Sequence, residues 1–295
     1  MLEKIIKKDR LKSSDIKFSI IIPTWNNLEY LKLIIESIRK NSAYNHQIIV
    51  MINDGNDGSV EWVDSQSEID YIHAKENIGI CYGLNICRSL FKTEYIVYAN
   101  DDMYMLPDWD LELFNEIKEL GHKNFMLSCT MIEPSYTSNP CVVVKDYGNS
   151  LQNFKEELLL NEFKNLHKDD WMGSTWPPNI MHIDLWDLVG GFSIEFSPGM
   201  YSDPDLSKKV WDAGVRYFKG VGKSKVYHFG SKSTKRVKKN TGSITFLQKW
   251  GISSNTFMKY YLKRGENFSG YLPKEIKLKK SIIIINKLKR LYKSL

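Results

Sequence analysis

At 295 residues, with 42% hydrophobic and 26% charged side chains, the chain can bury the core of one large α/β domain or two small ones, which excludes a disordered or collagen-like polypeptide. No run approaches the roughly 18 to 20 consecutive apolar residues of a membrane span, and the lysine-rich residues 1–10 contain no apolar secretory core, so the expected location is the cytoplasm. The net charge of +6 is concentrated at one end: residues 274–295 hold eight basic side chains and one acid, a net of +7, which leaves −1 for the other 273 residues.

Residues 17–22 (KFSIII), closed by Pro23, read as a buried parallel strand. A helix follows, capped by Asn26 or Asn27, with Leu28, Leu31, Ile34, Ile35 and Ile38 at helical spacing until Asn41 and Ser42 end it. Residues 47–52 are the second strand, broken by the turn-rich residues 53–59, and residues 71–73 form a short third. Residues 79–91 read as a helix, and residues 94–99 as a strand that ends in Asn100-Asp101-Asp102. This alternation predicts a parallel sheet covered by helices. Ligands would bind beyond the carboxyl ends of the strands, where the Asp54 loop and Asp101-Asp102 both lie.

The second half changes character. Residues 124–130 are strand-like, 154–166 helical, and 171–229 rich in aromatics, Gly and Pro, with short strands predicted at 180–183, 216–218 and 225–229. Gly220-Val221-Gly222-Lys223-Ser224 looks like the end of a phosphate-binding loop, but the first glycine of Gly-x-x-x-x-Gly-Lys-Ser/Thr would fall on Tyr217, so it reads as a turn between two strands. The turn Pro23-Thr24-Trp25-Asn26-Asn27 has no glycine to admit a pyrophosphate, which disfavours a nicotinamide or flavin enzyme. Cys81, Cys87, Cys129 and Cys141 fall in no Cys-x-x-Cys pair and read as reduced, buried thiols.

Adjacent carboxylates at a strand end, Asp101 and Asp102, concentrate negative charge for which a hard divalent cation is the natural partner; a solvated turn or helix cap before Pro107-Asp108-Trp109 is the structural alternative. The surrounding residues decide between them. Ile21-Ile22-Pro23-Thr24-Trp25-Asn26, the loop at 53–59, Asn77-Ile78-Gly79 with Asn85, Asn100-Asp101-Asp102 with Pro107 and Trp109, Gly190-Gly191-Phe192, Ser202-Asp203-Pro204-Asp205-Leu206 and His228 follow one another in order. In that order and spacing the chain resembles the family-2 glycosyltransferases, inverting nucleotide-sugar enzymes, over about residues 17–251. The resemblance implies the GT-A fold, a Rossmann-like α/β architecture with a mixed, mainly parallel sheet flanked by helices. No Gly/Ser linker separates the two halves, so the chain reads as a basic extension at 1–16, one continuous domain at 17–251, with a nucleotide-binding half at 17–102 and an acceptor and catalytic half at 103–251, and a helical basic tail at 252–295.

The same resemblance assigns roles. Pro23, Thr24, Trp25, Asn26, Asn77 and Gly79 would frame the nucleotide, Asp54 would accept a base N–H, Asp101 would contact the ribose, and Asp102 would hold Mn2+ or Mg2+ with His228. Trp25 would stack on the base or serve as core. The general base would be Asp203, with Asp205 holding local structure. Ser202 departs from the acidic residue usual at its position. Asp203 is also expected to cap a helix that starts at Pro204, and a helix N-terminus would lower its pKa and weaken it as a base. The polar-basic loop Ser231-Lys232-Ser233-Thr234-Lys235-Arg236 would close over the diphosphate.

The implied reaction moves a sugar from a UDP-, GDP- or dTDP-linked donor to a glycan or lipid-linked glycan. Trp171, Trp176, Trp186 and Tyr201 could stack on sugars or belong to the core. A degenerate GT-A glycan-binding protein and a sugar-phosphate nucleotidyltransferase are the rival readings. The latter normally opens with a glycine-rich, arginine-containing loop, which residues 23–27 do not provide. No nucleic-acid partner is expected, because the basic excess lies in the tail and no nucleic-acid motif occurs. The tail alternates lysines with isoleucine and leucine, suiting a helix that lies on anionic membrane or packs on the body.

Overall fold

The computed structural model describes residues 4–230 and 241–294. The first half supplies β1 (Ile5–Lys8), β2 (Phe18–Trp25), α1 (Leu28–Asn41), β3 (Gln47–Asn53), α2 (Ser59–Ser65), β4 (Asp70–Ala74), α3 (Ile80–Ile86), β5 (Tyr95–Tyr98) and the short β6 (Met103–Met105). Successive side chains of a strand point to opposite faces, and β2 divides its apolar run accordingly. Ile20 and Ile22 pack with Leu31, Ile34 and Ile35 of α1, while Ile21 packs with Cys81 and Leu84 of α3. With helices on both faces, the whole strand from Phe18 to Ile22 is buried.

The second half supplies α4 (Trp109–Leu120), β7 (Phe125–Glu133), β8 (Val143–Val144), α5 (Glu156–Glu162), β9 (Trp171–Met172), β10 (Asn179–His182), α6 (Ile183–Val189), α7 (Ser202–Asp212), β11 (Tyr217–His228), α8 (Gly242–Trp250), α9 (Ser254–Thr256) and α10 (Lys280–Ser294). Among the described residues all eleven strands join one sheet, whose main path runs β1-β4-β3-β2-β5-β10-β7-β11-β6. The block β4-β3-β2-β5 is parallel. β10 runs antiparallel between β5 and β7, and β7 pairs parallel with β11. Residues 5–8 form an antiparallel edge strand against β4, so the sheet begins before residue 17.

Two expectations need correction. Residues 216–218 and 225–229 are not separate strands joined by a turn: Tyr217–His228 is one strand, and its register against β7 shifts between Val221 and Lys225. The glycines there serve packing, because a Cβ on Gly220 would lie 1.8 Å from the Trp171 ring. The helix expected at 79–91 ends at Ile86 and continues as a 3-10 turn over Cys87–Leu90. All four cysteines are buried free thiols. Among the described residues no helix is long and apolar enough to cross a membrane. The loop from Ser231 to Arg236 lies outside the described residues.

The sheet order fixes where a ligand can bind. From β2 the chain goes to β3 on one side and, later, to β5 on the other, so the carboxyl ends of β2 and β5 flank a topological switch point.

Candidate active site

A cavity of about 520 Å³ opens at that switch point. Its walls bring together most of the residues singled out from the sequence: Pro23, Thr24, Trp25, Asn77, Asp101, Asp102, Asp203 and His228 all line it. Asn26, Asp54 and Gly79 lie beside it and act on the loops that shape it.

The wall at the carboxyl ends of β2 and β3 is built from strand ends tied together by neutral donors. Thr24, near the end of β2, donates its hydroxyl to Asp101 Oδ2 at 2.8 Å across the switch point. Asn26 donates Nδ2 to Asp54 Oδ2 (3.0 Å), and its Oδ1 accepts from the backbone N–H groups of Gly55 (3.0 Å) and Asn56 (2.9 Å). Asn26 and Asp54 both adopt positive φ, 47° and 68°, a conformation that Asn and Asp tolerate better than other side chains. Asn53 Oδ1 accepts from Ile78 N–H (3.0 Å), and Asn77 Oδ1 accepts from Gly79 N–H (2.9 Å). Gly79 has φ +79°, and a Cβ there would sit 3.1 Å from Ser197 Oγ, so glycine lets this turn pack on residues 197–199 of the opposite wall. Asn85 donates to Phe192 O and accepts from Phe192 N–H (2.7 and 2.8 Å), which pins Gly190-Gly191-Phe192 rather than a ligand.

The opposite wall is assembled by sheet register. Antiparallel pairing of β6 with β11 sets His228 against Met103, and Phe229 N–H donates to Asp102 O at 3.1 Å. The imidazole Nε2 therefore lies 3.4 Å from Asp102 Oδ1. Parallel pairing of β7 with β11 sets Ile132 against Tyr227, which brings Glu133 alongside, 2.9 Å from His228 Nδ1. All three groups are buried. Burial pushes the His228 pKa down, but hydrogen bonding and charge from Asp102 and Glu133 outweigh it and raise the pKa to about 9.

The donor set suits a divalent cation. A carboxylate oxygen and an imidazole nitrogen face one another, and Glu133 fixes the ring orientation from its far side, the arrangement usual behind a metal-binding histidine. Among the described residues no group of three or more His, Cys, Asp or Glu is placed to hold a metal. Two protein donors would leave the remaining positions of a bound cation to other ligands, as is common for Mg2+ and Mn2+ at phosphates.

Asp203 lies in the first turn of α7. The residue before the helix is Tyr201, not Asp203. Ser202 donates its hydroxyl to Gly199 O at 2.6 Å and closes the preceding turn. The Asp203 Oδ1 atom is shielded from solvent and has no hydrogen-bond partner among the described residues. Burial raises its pKa to about 7, opposite to the lowering expected from the helix N-terminus: desolvation of the charged form exceeds the help of the backbone N–H. Asp205, fully buried, is engaged elsewhere, accepting from Trp250 Nε1 at 2.8 Å with Lys249 Nζ at 3.0 Å.

Sequence reasoning missed Glu133, Tyr98, the segment Pro198-Gly199-Met200, and Ser254, Asn255 and Met258, which line the cavity from beyond residue 251. The four aromatics divide evenly. Trp176 and Tyr201 line the cavity, whereas Trp171 and Trp186 are core, the former donating Nε1 to Thr130 Oγ1.

Known proteins share this plan. The sequence profile of glycosyl transferase family 2 matches residues 19–167. An uncharacterized glycosyltransferase of Rickettsia bellii (strain RML369-C) is 31% identical over 127 residues, 42% of this chain but only 18% of that protein. Among solved structures, S. aureus TarS 1-349 aligns with TM-score 0.55 at 13% identity, covering 94% of this chain and 71% of its own. The same fragment in complex with UDP-GlcNAc gives 0.57 at 12%, covering 94% and 72%. GalNAc-T7 with UDP, GalNAc and Mn2+ gives 0.57 at 11%, covering 84% and 51%. At such identities the likeness is one of fold, and the fold is the GT-A architecture. The profile match ends before Asp203 and His228, which rest on geometry alone.

Proposed function

This chain belongs to glycosyl transferase family 2, and from that premise we propose that it is an inverting glycosyltransferase, moving a sugar from a nucleotide-diphosphate donor to a hydroxyl of a glycan or lipid-linked glycan. One observation carries the reading: a nucleotide wall tied by Thr24–Asp101, the Asp102–His228 pair and the shielded carboxylate of Asp203 converge on a single cavity at the switch point. UDP and UDP-GlcNAc in TarS complexes and UDP with Mn2+ in GalNAc-T7 favour a uridine nucleotide among the possible donors.

Pro23, Thr24 and Trp25 would hold the base and ribose with Asp101, the Asn26–Asp54 latch keeping their loop in place. Asp102 and His228 would hold Mn2+ or Mg2+, which when bound neutralises charge on the leaving diphosphate. Asp203 would take the proton from the acceptor hydroxyl as that oxygen attacks the anomeric carbon, on the face opposite the leaving group, so the configuration inverts. A carboxylate with a pKa of about 7 is matched to that task near neutral pH. Trp176 and Tyr201 would present aromatic faces to the acceptor sugar, and residues 274–295 would make a peripheral membrane contact.

The test is calorimetric titration of UDP, GDP, CDP and dTDP, each with and without Mn2+, on the natural chain and on Asp102→Ala. Metal-dependent binding of one nucleotide, lost in the variant, is the expected result. Absence of metal-dependent binding to all four would sink the donor-site assignment and favour a glycan-binding protein.

A further inference from the structure

A helix that packs on its own domain normally turns its apolar stripe inward. α10 does the reverse. Its anchor to the body is a polar side chain, Asn286, which is 2% exposed. Asn286 Oδ1 accepts from Ser253 N–H at 2.8 Å, while Nδ2 donates to Thr256 Oγ1 (3.1 Å) and to Ile282 O (2.9 Å). The outward side carries Ile284, Ile285, Leu288, Leu291 and Tyr292, between 49% and 75% exposed. The spacings 284/288/291 and 285/292 place these five on one continuous stripe. Lys280 and Lys287 border it on one side and Lys289 on the other, all three exposed. The helix has 15 residues, a length of about 22 Å at the usual rise.

We propose that this stripe is a docking surface for an anionic lipid bilayer. α10 lies in the plane of the interface, its five apolar side chains in the acyl boundary and its flanking lysines at the headgroup phosphates. Charge selects this occupant. Residues 274–295 carry a net +7, so a second copy seated on the same stripe would set +7 against +7, whereas an anionic surface would meet the lysines that border the stripe favourably. The residues that Asn286 clasps, Ser253 and Thr256, flank Ser254 and Asn255, which line the cavity. The docking helix and the cavity wall thus share one hydrogen-bonded joint, which holds the cavity at the surface where a lipid-linked acceptor is presented. That last consequence rests on the glycosyltransferase reading; the docking itself does not.

The test is co-sedimentation of the full chain with phosphatidylcholine vesicles, with and without phosphatidylglycerol, beside uridine diphosphate titration of the same preparations. The natural chain should pellet with the anionic vesicles and bind neutral ones at least about tenfold more weakly. The double variant Leu288→Glu, Leu291→Glu, altered only at exposed positions, should lose vesicle binding while keeping its nucleotide affinity. Equal binding to neutral and anionic vesicles, or a double variant that still pellets, overturns the proposal. So does self-association of the natural chain in sedimentation velocity that the double variant abolishes, since the stripe would then join two copies. Loss of nucleotide binding with vesicle binding intact would strike the transferase reading and leave the docking surface standing.

Discussion

The two walls of the cavity are built in opposite ways. On the wall at the ends of β2 and β3, where we propose that the nucleotide binds, the polar groups are paired with neutral partners nearby: Asp101 with the Thr24 hydroxyl, Asp54 with the Asn26 amide, Asn53 and Asn77 with backbone N–H groups. On the opposite wall charge is either concentrated or left unmatched. His228 sits between two carboxylates, and Asp203 keeps a shielded oxygen with no partner among the described residues. A wall satisfied before the ligand arrives is suited to binding and orienting. A wall with unmatched charge is suited to holding a cation and moving a proton, and burial there raises the Asp203 pKa to about 7, the direction a general base needs.

The largest test of this contrast compares Asp203 with Asp205, two residues apart in α7. Asp203→Asn should lower kcat by about 10²- to 10⁴-fold, the range for loss of a general base, with nucleotide affinity unchanged. Asp205→Asn should instead destabilise the fold by about 1–3 kcal/mol, the cost of disturbing a buried hydrogen-bonded carboxylate, read as a lower Tm. Equal kinetic effects from both would erase the distinction. The pH profile sharpens it. Burial disfavours the ionised form, so below a pKa of about 7 the Asp203 carboxyl holds its proton and cannot accept another. We therefore expect kcat/KM to fall about tenfold per pH unit below 7 and to level off above it. A profile flat down to pH 5 would exclude Asp203 as the base.

Next in size is Glu133. Removing a partner behind a metal-binding histidine typically weakens metal affinity about 10- to 100-fold. Glu133→Gln should therefore reduce Mn2+ affinity, measured in the presence of UDP, by that order, while UDP binding without metal stays as it was. With two protein donors at hand among the described residues, Mn2+ alone should bind the natural chain far more weakly than Mn2+ with UDP. Tight binding of the ion without nucleotide would mean that further protein ligands exist.

The same contrast explains what could be read in advance. The wall at the ends of β2 and β3 was legible because its parts are local: apolar runs at 20–22 and 48–52 mark the strands, and Asn, Asp and Gly beyond them mark the turns. Glu133 escaped because the strand was expected to stop at Thr130, whereas it runs on to Glu133. A carboxylate ending an apolar strand, as Asp101 and Asp102 do, was the available signal. β11 was divided in two because its glycines look like a turn, and only the Trp171 ring, 49 residues away in sequence and against Gly220 in space, gives the reason for them. The Asp203 pKa shifts against the sequence expectation because the helix N-terminus is visible in the sequence and the desolvation is not.

The smallest effect belongs to the satisfied wall. Thr24→Val keeps the shape of the side chain but removes one donor from Asp101, a loss of about 1 kcal/mol, or about fivefold in affinity. If Asp101 meets the ribose, that loss should appear in UDP affinity with and without Mn2+ alike, and kcat at saturating donor should hardly change. A Thr24→Val variant that lost metal dependence instead would mean that Asp101 shares the cation with Asp102, and that the boundary between the two walls runs through Thr24 rather than between the two aspartates.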